Sequence, residues 1–160
     1  MPSEGSLSSE IPRTRADAAL LQLRLWPDPV LEQECEPVEP GQDLTFLLER
    51  MRAVMDAAGG AGLAAPQLGV LVQVFIIAER VPASRHVFIN PKKPLLLGRR
   101  ESMTEGCLSV PGVLEPISRG VRARVIHEQG TDFLQGLGAH VAQHEYEHLL
   151  GKIQVARRQR

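Results

Sequence analysis

Gln143-His144-Glu145-Tyr146-Glu147-His148-Leu149-Leu150-Gly151 is the stretch on which the reading of this 160-residue chain turns. An α-helix advances about 100° per residue, so His144 and His148 lie on one face, a turn apart. Two imidazoles so placed can grip a single metal ion, with Glu145 beside them to carry a proton. Leu137 and Val141 continue the same stripe backwards, so both histidines are predicted to face inward. The bland alternative is a helix whose histidines cap a core while Glu145 sits in solvent. An inward imidazole pair lacking a charge or metal partner would strand polar nitrogens in apolar surroundings, which argues against it. Gly136 and Gly138 precede the helix and Gly151 is predicted to stop it.

A catalytic metal site with one open position needs a third ligand. Cys107 is the candidate, in Glu105-Gly106-Cys107-Leu108-Ser109-Val110-Pro111-Gly112. A cysteine taken alone is more often a small buried hydrophobe. Here Gly106 and a Pro111-Gly112 turn let the backbone bend to aim the sulfur. Cys35, among Glu32, Glu34 and Glu36, is a poor ligand candidate and reads as a partly exposed thiol. Gly60 to Val70 is rich in small residues and lacks the Lys-Ser/Thr ending of a phosphate loop. Either its backbone approaches a ligand closely or it is a tight packing turn.

Further out, Leu25 to Leu31 is a proline-punctuated extended or turn segment. Asp43 is a predicted N-cap for a helix whose apolar stripe runs through Leu44, Leu47, Leu48, Met51, Val54, Met55 and Ala58, ended by Gly59-Gly60. Strands are predicted over Leu71 to Ala78, Val87 to Ile89, Leu95 to Leu97 and Val121 to His127. The last alternates Val121, Ala123 and Val125 against Arg122 and Arg124. Gly130-Thr131-Asp132 reads as a hairpin turn. Strands followed by a helix laid against them indicate an α+β domain.

Composition excludes several classes. The chain is 43% hydrophobic and 23% charged with net charge −1, which offers no global field to attract DNA or an anionic membrane. Two cysteines make no disulfide framework, and no apolar run approaches the roughly 18 residues of a membrane span. Residues 1–22 read as a polar, flexible N-terminal extension whose acids Glu4, Glu10 and Asp17 argue against organelle targeting, with a short helix from Arg15 to Leu23. Residues 23–160 are predicted to form the domain. Removal of residues 1–20 is accordingly expected to leave the melting temperature nearly unchanged.

Three blocks together resemble peptide deformylases: Gly60-x-Gly62-Leu63-Ala64-Ala65-Pro66-Gln67, Glu105-Gly106-Cys107-Leu108-Ser109 and Gln143-His144-Glu145-x-x-His148. Their order and approximate spacing are also similar, and Pro27-Asp28-Pro29-Val30-Leu31 resembles that family's opening, so the likeness spans about Leu23 to Gly151. It implies antiparallel or mixed β-sheets packed around a central, C-terminal metal-binding helix. It implies that Cys107, His144 and His148 bind one divalent metal ion with a water in the fourth place, the water's pKa falling from near 15.7 towards ~7. Fe2+ is the ion implied in the cell, with Zn2+, Ni2+ or Co2+ able to occupy the site; donor softness by itself suits zinc.

By the same resemblance, Glu145 would serve as general base and then acid, while the Gln67 side-chain amide and the Leu108 backbone N–H would steady an oxyanion. Backbone groups of Ala61, Gly62 and Gly106 would pair with an extended substrate. Met103, Leu137, Val141 and the ring of His144 would line a pocket for a methionine side chain; core packing is the alternative for Met103 and Leu137. The implied reaction is removal of the formyl group from N-formylmethionyl nascent peptides, with release of formate. The implied setting is a cytoplasmic monomer of bacterial type, rather than an organelle protein, with the ribosome as a further partner.

The chain departs from the usual pattern at four places. Tyr146-Glu147 stands where a hydrophobic residue and Asp are more common. His140 reads as a surface imidazole, with a rim residue of the pocket as the alternative. Leu114 replaces an arginine found in many relatives, and only nine residues follow Gly151, ending in a basic tail of Arg157, Arg158 and Arg160 that reads as frayed or as a contact for RNA phosphates. Two other functions stay open from sequence. A His-Glu-x-x-His zinc metallopeptidase usually takes a downstream Glu or His as third ligand, and none of the twelve residues after His148 is Glu, Asp or His. A degenerate relative would hold formylated peptides with little turnover.

Overall fold

Apolar runs and one helical stripe assemble two three-stranded antiparallel sheets with the histidine-bearing helix packed against both, in a computed structural model that describes residues 10–157. In chain order the elements are α1 Arg15–Ala19, α2 Thr45–Ala57, β1 Gly62–Ala64, β2 Val74–Ile77, β3 Val87–Ile89, β4 Leu95–Cys107, β5 Val110–His127, β6 Gly130–Gln135, α3 Gly136–Leu149 and α4 Gln154–Arg157. The predicted α+β architecture with a central helix near the C-terminus is the observed one, and both sheets are antiparallel.

The first sheet has the order β1-β2-β3. Val-Phe-Ile-Ile of β2 is buried on both faces, because α2 and α3 flank a sheet whose central strand reads as a continuous apolar run. Phe75 stacks on Phe88 of β3 with ring centroids 4.7 Å apart. Leu47, Met51 and Met55 of α2 close the core from one side. Asp43 caps that helix from one residue further out than predicted: Leu44 holds the N-cap position, while Asp43 Oδ1 accepts from the Thr45 N–H at 2.9 Å.

The second sheet, β4-β5-β6, differs from its sequence reading in extent. Leu95–Leu97 is only the start of a 13-residue strand, and Val121–His127 the end of an 18-residue one. The remainder of β4 shows no simple alternation because Gly98 to Thr104 are all exposed, and register shifts after Leu97 and Glu105 interrupt its pairing with β5. The Pro111-Gly112 turn is a correction: those residues lie in β5, and the chain reverses at Leu108-Ser109, with Cys107 paired to Val110. Likewise Gly130-Thr131-Asp132 begins β6, the turn being Glu128-Gln129 with His127 paired to Gly130.

Both ends pack more than the sequence indicated. Ile11 and Ala18 are buried, α1 lies against α2, and Arg50 Nε donates to the Leu21 carbonyl at 2.8 Å. The described part of the lead is therefore docked; residues 1–9 of the expected extension lie outside the described residues. Burying an isoleucine contributes about 1.5–3 kcal/mol. Deleting residues 1–20 is now expected to lower the melting temperature by roughly 3–12 °C, at about 2–4 °C per kcal/mol for a chain of this size. Calorimetry of the truncated chain checks this, and an unchanged midpoint would show the docking contributes nothing.

At the other end Ile153, Val155 and Ala156 are buried with Leu31, Val110 and Ile117, so the expected frayed tail is packed up to Ala156 because its apolar residues close a second small cluster. Arg158 to Arg160 lie outside the described residues. Cys35 is also buried, its N–H bonded to the Leu149 carbonyl at 2.9 Å, and burial pushes its thiol pKa up to about 12. The local glutamates pointed to an exposed thiol; tertiary packing overrode them. No helix among the described residues is long and apolar enough to cross a membrane.

Candidate metal centre and active site

Helix α3 carries the histidines, and its placement is set by side chains bonding to backbone. Gln143 Nε2 donates to the Gly120 carbonyl at 2.8 Å while its Oε1 accepts from the Gly120 N–H at 2.9 Å, which ties the helix to β5. At its end Gly151 adopts φ 71°, a left-handed geometry that suits glycine past a helix terminus. From β4, Cys107 arrives at the hairpin turn beside this helix.

The three sequence-selected donors converge. One ligand atom from each of Cys107, His144 and His148 falls within a group no more than 4.8 Å across. His144 Nε2 and His148 Nε2 stand 3.2 Å apart, and Cys107 Sγ is 3.4 Å from His148 Nε2. A tetrahedral ion bonded to such donors at about 2.0–2.3 Å implies separations of roughly 3.3–3.6 Å. The residues therefore fit one metal ion, with a thiolate and two imidazole nitrogens as its donors.

Glu105 holds this arrangement from behind, a role the sequence reading did not assign. Its Oε1 accepts from Arg119 Nη2 at 2.6 Å and from His144 Nδ1; its Oε2 accepts from Arg119 Nε at 2.8 Å and from His140 Nε2 at 2.7 Å. Occupying Nδ1 turns the other nitrogen of His144 to the donor cluster, since one ring nitrogen's partner sets the tautomer. Burial alone would raise the Glu105 carboxyl, but the bonds from Arg119, His140 and His144 outweigh it and hold its pKa well below the usual range. Burial also opposes protonation of the His144 and His148 imidazoles. Contacts with Cys107 and Glu105 nevertheless hold the His144 pKa up, whereas burial and the His144 charge push that of His148 down.

Arg119 also pairs with Glu147, whose two oxygens accept from Gln154 Nε2 at 3.0 and 2.9 Å. The longer acid at position 147 thus reaches an arginine rather than a ligand. His140 corrects the surface reading: it is 7% exposed and bonded to Glu105. Arg119 carried a local signal, a cation in phase with inward Ala123 and Val125 on β5. His140 carried one too, lying one turn before His144 on the same helix face; Glu105 had none, because its partners come from distant segments.

In front of the donors opens a cleft of about 570 Å³. Glu145 lines it, 4% exposed, with Oε2 finding no hydrogen-bond partner among the described residues. Burial pushes its carboxyl up to about 7. Gly62 allows this approach, for a Cβ there would stand 2.7 Å from Val141 Cγ1 and 2.9 Å from Glu145 Oε1. Gln67 is clamped: its Oε1 accepts from the Ala64 N–H at 2.9 Å, and its Nε2 donates to Ser109 Oγ at 3.1 Å and lies 3.7 Å from Cys107 Sγ. Its amide donors consequently face the cluster.

Ala61, Gly106, Leu108 and Val141 line the same cleft. So do Met103 and Leu137, which are 37% and 42% exposed on its wall rather than packed in the core. Every residue expected at the site therefore borders the cleft, apart from His148, which is buried behind it.

Comparison with known proteins gives the same answer. The polypeptide deformylase family model matches residues 20–160. A peptide deformylase of Clostridium botulinum is 39% identical over 145 residues, covering 87% of this chain and 97% of its own. One from Pseudothermotoga lettingae is 38% identical over 138 residues, covering 82% of this chain and 79% of its own. Among solved structures, the deformylase of Thermotoga maritima superimposes with TM-score 0.76 at 33% identity, covering 85% of this chain and 95% of that one. That of Vibrio parahaemolyticus bacteriophage VP16T, solved with actinonin, gives TM-score 0.77 at 33% identity over 83% of this chain and 99% of its own. Fold, donor set and sequence agree over most of the chain, which belongs to the polypeptide deformylase family.

Proposed function

We propose that this chain hydrolyses the formyl group from N-formylmethionyl ends of newly made polypeptides, and that Cys107, His144 and His148 hold the one divalent metal ion the reaction uses. The observation carrying this is the meeting of those three donors with the buried Glu145 carboxylate at the inner end of one cleft. When bound, the ion supplies an activated water nucleophile at neutral pH and polarises the formyl oxygen. Glu145 takes the proton that the attacking water gives up and hands it to the departing amine nitrogen, so formate and a free N-terminus leave. Its burial, with Oε2 bonded to none of the described residues, suits it to gain and lose one proton near neutrality. The Gln67 amide and the Leu108 N–H face the developing oxyanion, where one such donor is worth on the order of 10²-fold or more in rate.

Ala61, Gly62 and Gly106 offer backbone to the substrate in strand-addition style, β1 being an edge strand of its sheet. Met103, Leu137, Val141 and the His144 ring receive the methionine side chain. Fe2+ is the ion proposed for the cell, with Zn2+, Ni2+ or Co2+ as substitutes, and pairing iron with Cys107 makes activity oxygen-sensitive. The catalytic unit is placed at 23–160 with 1–22 added to it, acting as a cytoplasmic monomer on nascent chains at the ribosome.

The expected result is formate release from formyl-Met-Ala-Ser under anaerobic conditions, in proportion to bound metal assayed on the same sample. Stoichiometric metal with no formate would leave the chain a binder of formylated peptides and sink the reading.

A further inference from the structure

Beyond the proposed methionine pocket the cleft runs outward between apolar walls. Leu114 on β5 is 70% exposed there. Its side chain lies over Gly106, where a Cβ would stand 3.1 Å from Leu114 Cδ2. On the other wall Leu108 lies over Gly60, where a Cβ would meet Leu108 Cδ1 at 2.7 Å, and Leu23 and Ala58 extend that side. The titratable side chains of the lining besides Cys107 are Glu105, His140, His144 and Glu145, all buried or nearly so at the inner end, and Glu105 is bonded to both His140 and His144. None of the described residues lining the cleft is Lys, Arg or Asp.

We propose that this lip selects formylated peptides whose two residues after methionine are apolar, and that Leu114 is the residue setting the preference. The proposal rests on the deformylase reading of the site. An extended peptide turns successive side chains to opposite sides. With methionine taken inward, the next two side chains meet the lip, one wall after the other. A leucine there loses contact with water against Leu108 or Leu114, which is favourable. An aspartate gives up hydration with no cation among the described lining residues to offset it, Arg80 being held outside the lining on the Gly59 and Gly60 carbonyls at 3.1 and 3.0 Å. Such contacts act on bound substrate and transition state alike, so the preference belongs in KM rather than kcat.

The test compares formate release from formyl-Met-Leu-Leu and formyl-Met-Asp-Asp by the metal-loaded chain and by its Leu114→Arg variant, under anaerobic conditions. The wild-type chain is expected to favour the leucine peptide by about tenfold in kcat/KM, mostly through KM, the scale of apolar discrimination in a partly open site. Leu114→Arg, at an exposed position where the fold is not at stake, is expected to narrow that ratio to about threefold or less by pairing with the acidic peptide. Leu114→Ser should weaken only use of the leucine peptide. Equal use of both peptides by the wild-type chain, or a ratio untouched by Leu114→Arg, overturns the proposal and leaves the deformylase reading standing. No formate from either peptide, nor from formyl-Met-Ala-Ser, overturns both.

Discussion

Glu145→Gln is expected to bind metal as the unaltered chain does and to lose about 10²–10⁴-fold in kcat, the range that positioned general acid–base groups contribute. The substitution keeps the shape of a side chain that is 4% exposed and wedged beside Gly62, so packing should survive it. What it removes is the capacity to accept a proton. An amide cannot take one from water at neutral pH, nor return one to the leaving nitrogen. Metal analysis and formate release on the same preparation separate the two properties. Turnover close to the unaltered rate would show that the proton travels by another group, and the assignment of Glu145 would fall.

Cys107→Ala should abolish stoichiometric metal binding. Two imidazoles 3.2 Å apart remain, but the thiolate is gone, and no other His, Cys, Asp or Glu among the described residues joins the cluster. Loss of an outer partner alone typically weakens metal sites 10–100-fold, and losing a ligand itself should exceed that. Cys35→Ala serves as the control. Cys35 is buried elsewhere, against the Leu149 carbonyl, and its removal should leave metal content unchanged. Full metal retention by Cys107→Ala would overturn the three-donor site.

The parts of this site that depend on short-range geometry were readable beforehand. A four-residue spacing puts His144 and His148 on one helix face whatever surrounds the helix, and Val141 on that stripe indicates inward orientation. Gln67 and Gly62 were readable only through the resemblance. Their reasons, a clamped amide and a close approach to Glu145, appear once β1 lies against α3. Leu137 and Met103 show the limit of periodicity: both fit an apolar stripe or strand, yet they line the cleft rather than the core.

By itself the sequence determined the elements that local spacing and turn chemistry control: the α2 stripe, the β2 run, the α3 histidine pair and the family motifs that tie them together. Only the tertiary structure decided which acids and cations would be buried together. Glu105, Arg119, His140 and Glu147 come from β4, β5 and two turns of α3, and the hydrogen bonds and ion pairs joining them to one another and to His144 span 14 to 39 residues of chain. Glu105 and Glu147 read locally as ordinary acids, and Arg119 and His140 carry only the phase of an inward face, which names no partner. A charge is tolerable in an interior only where partners from other segments meet it, and where segments meet is a property of the fold rather than of any one stretch.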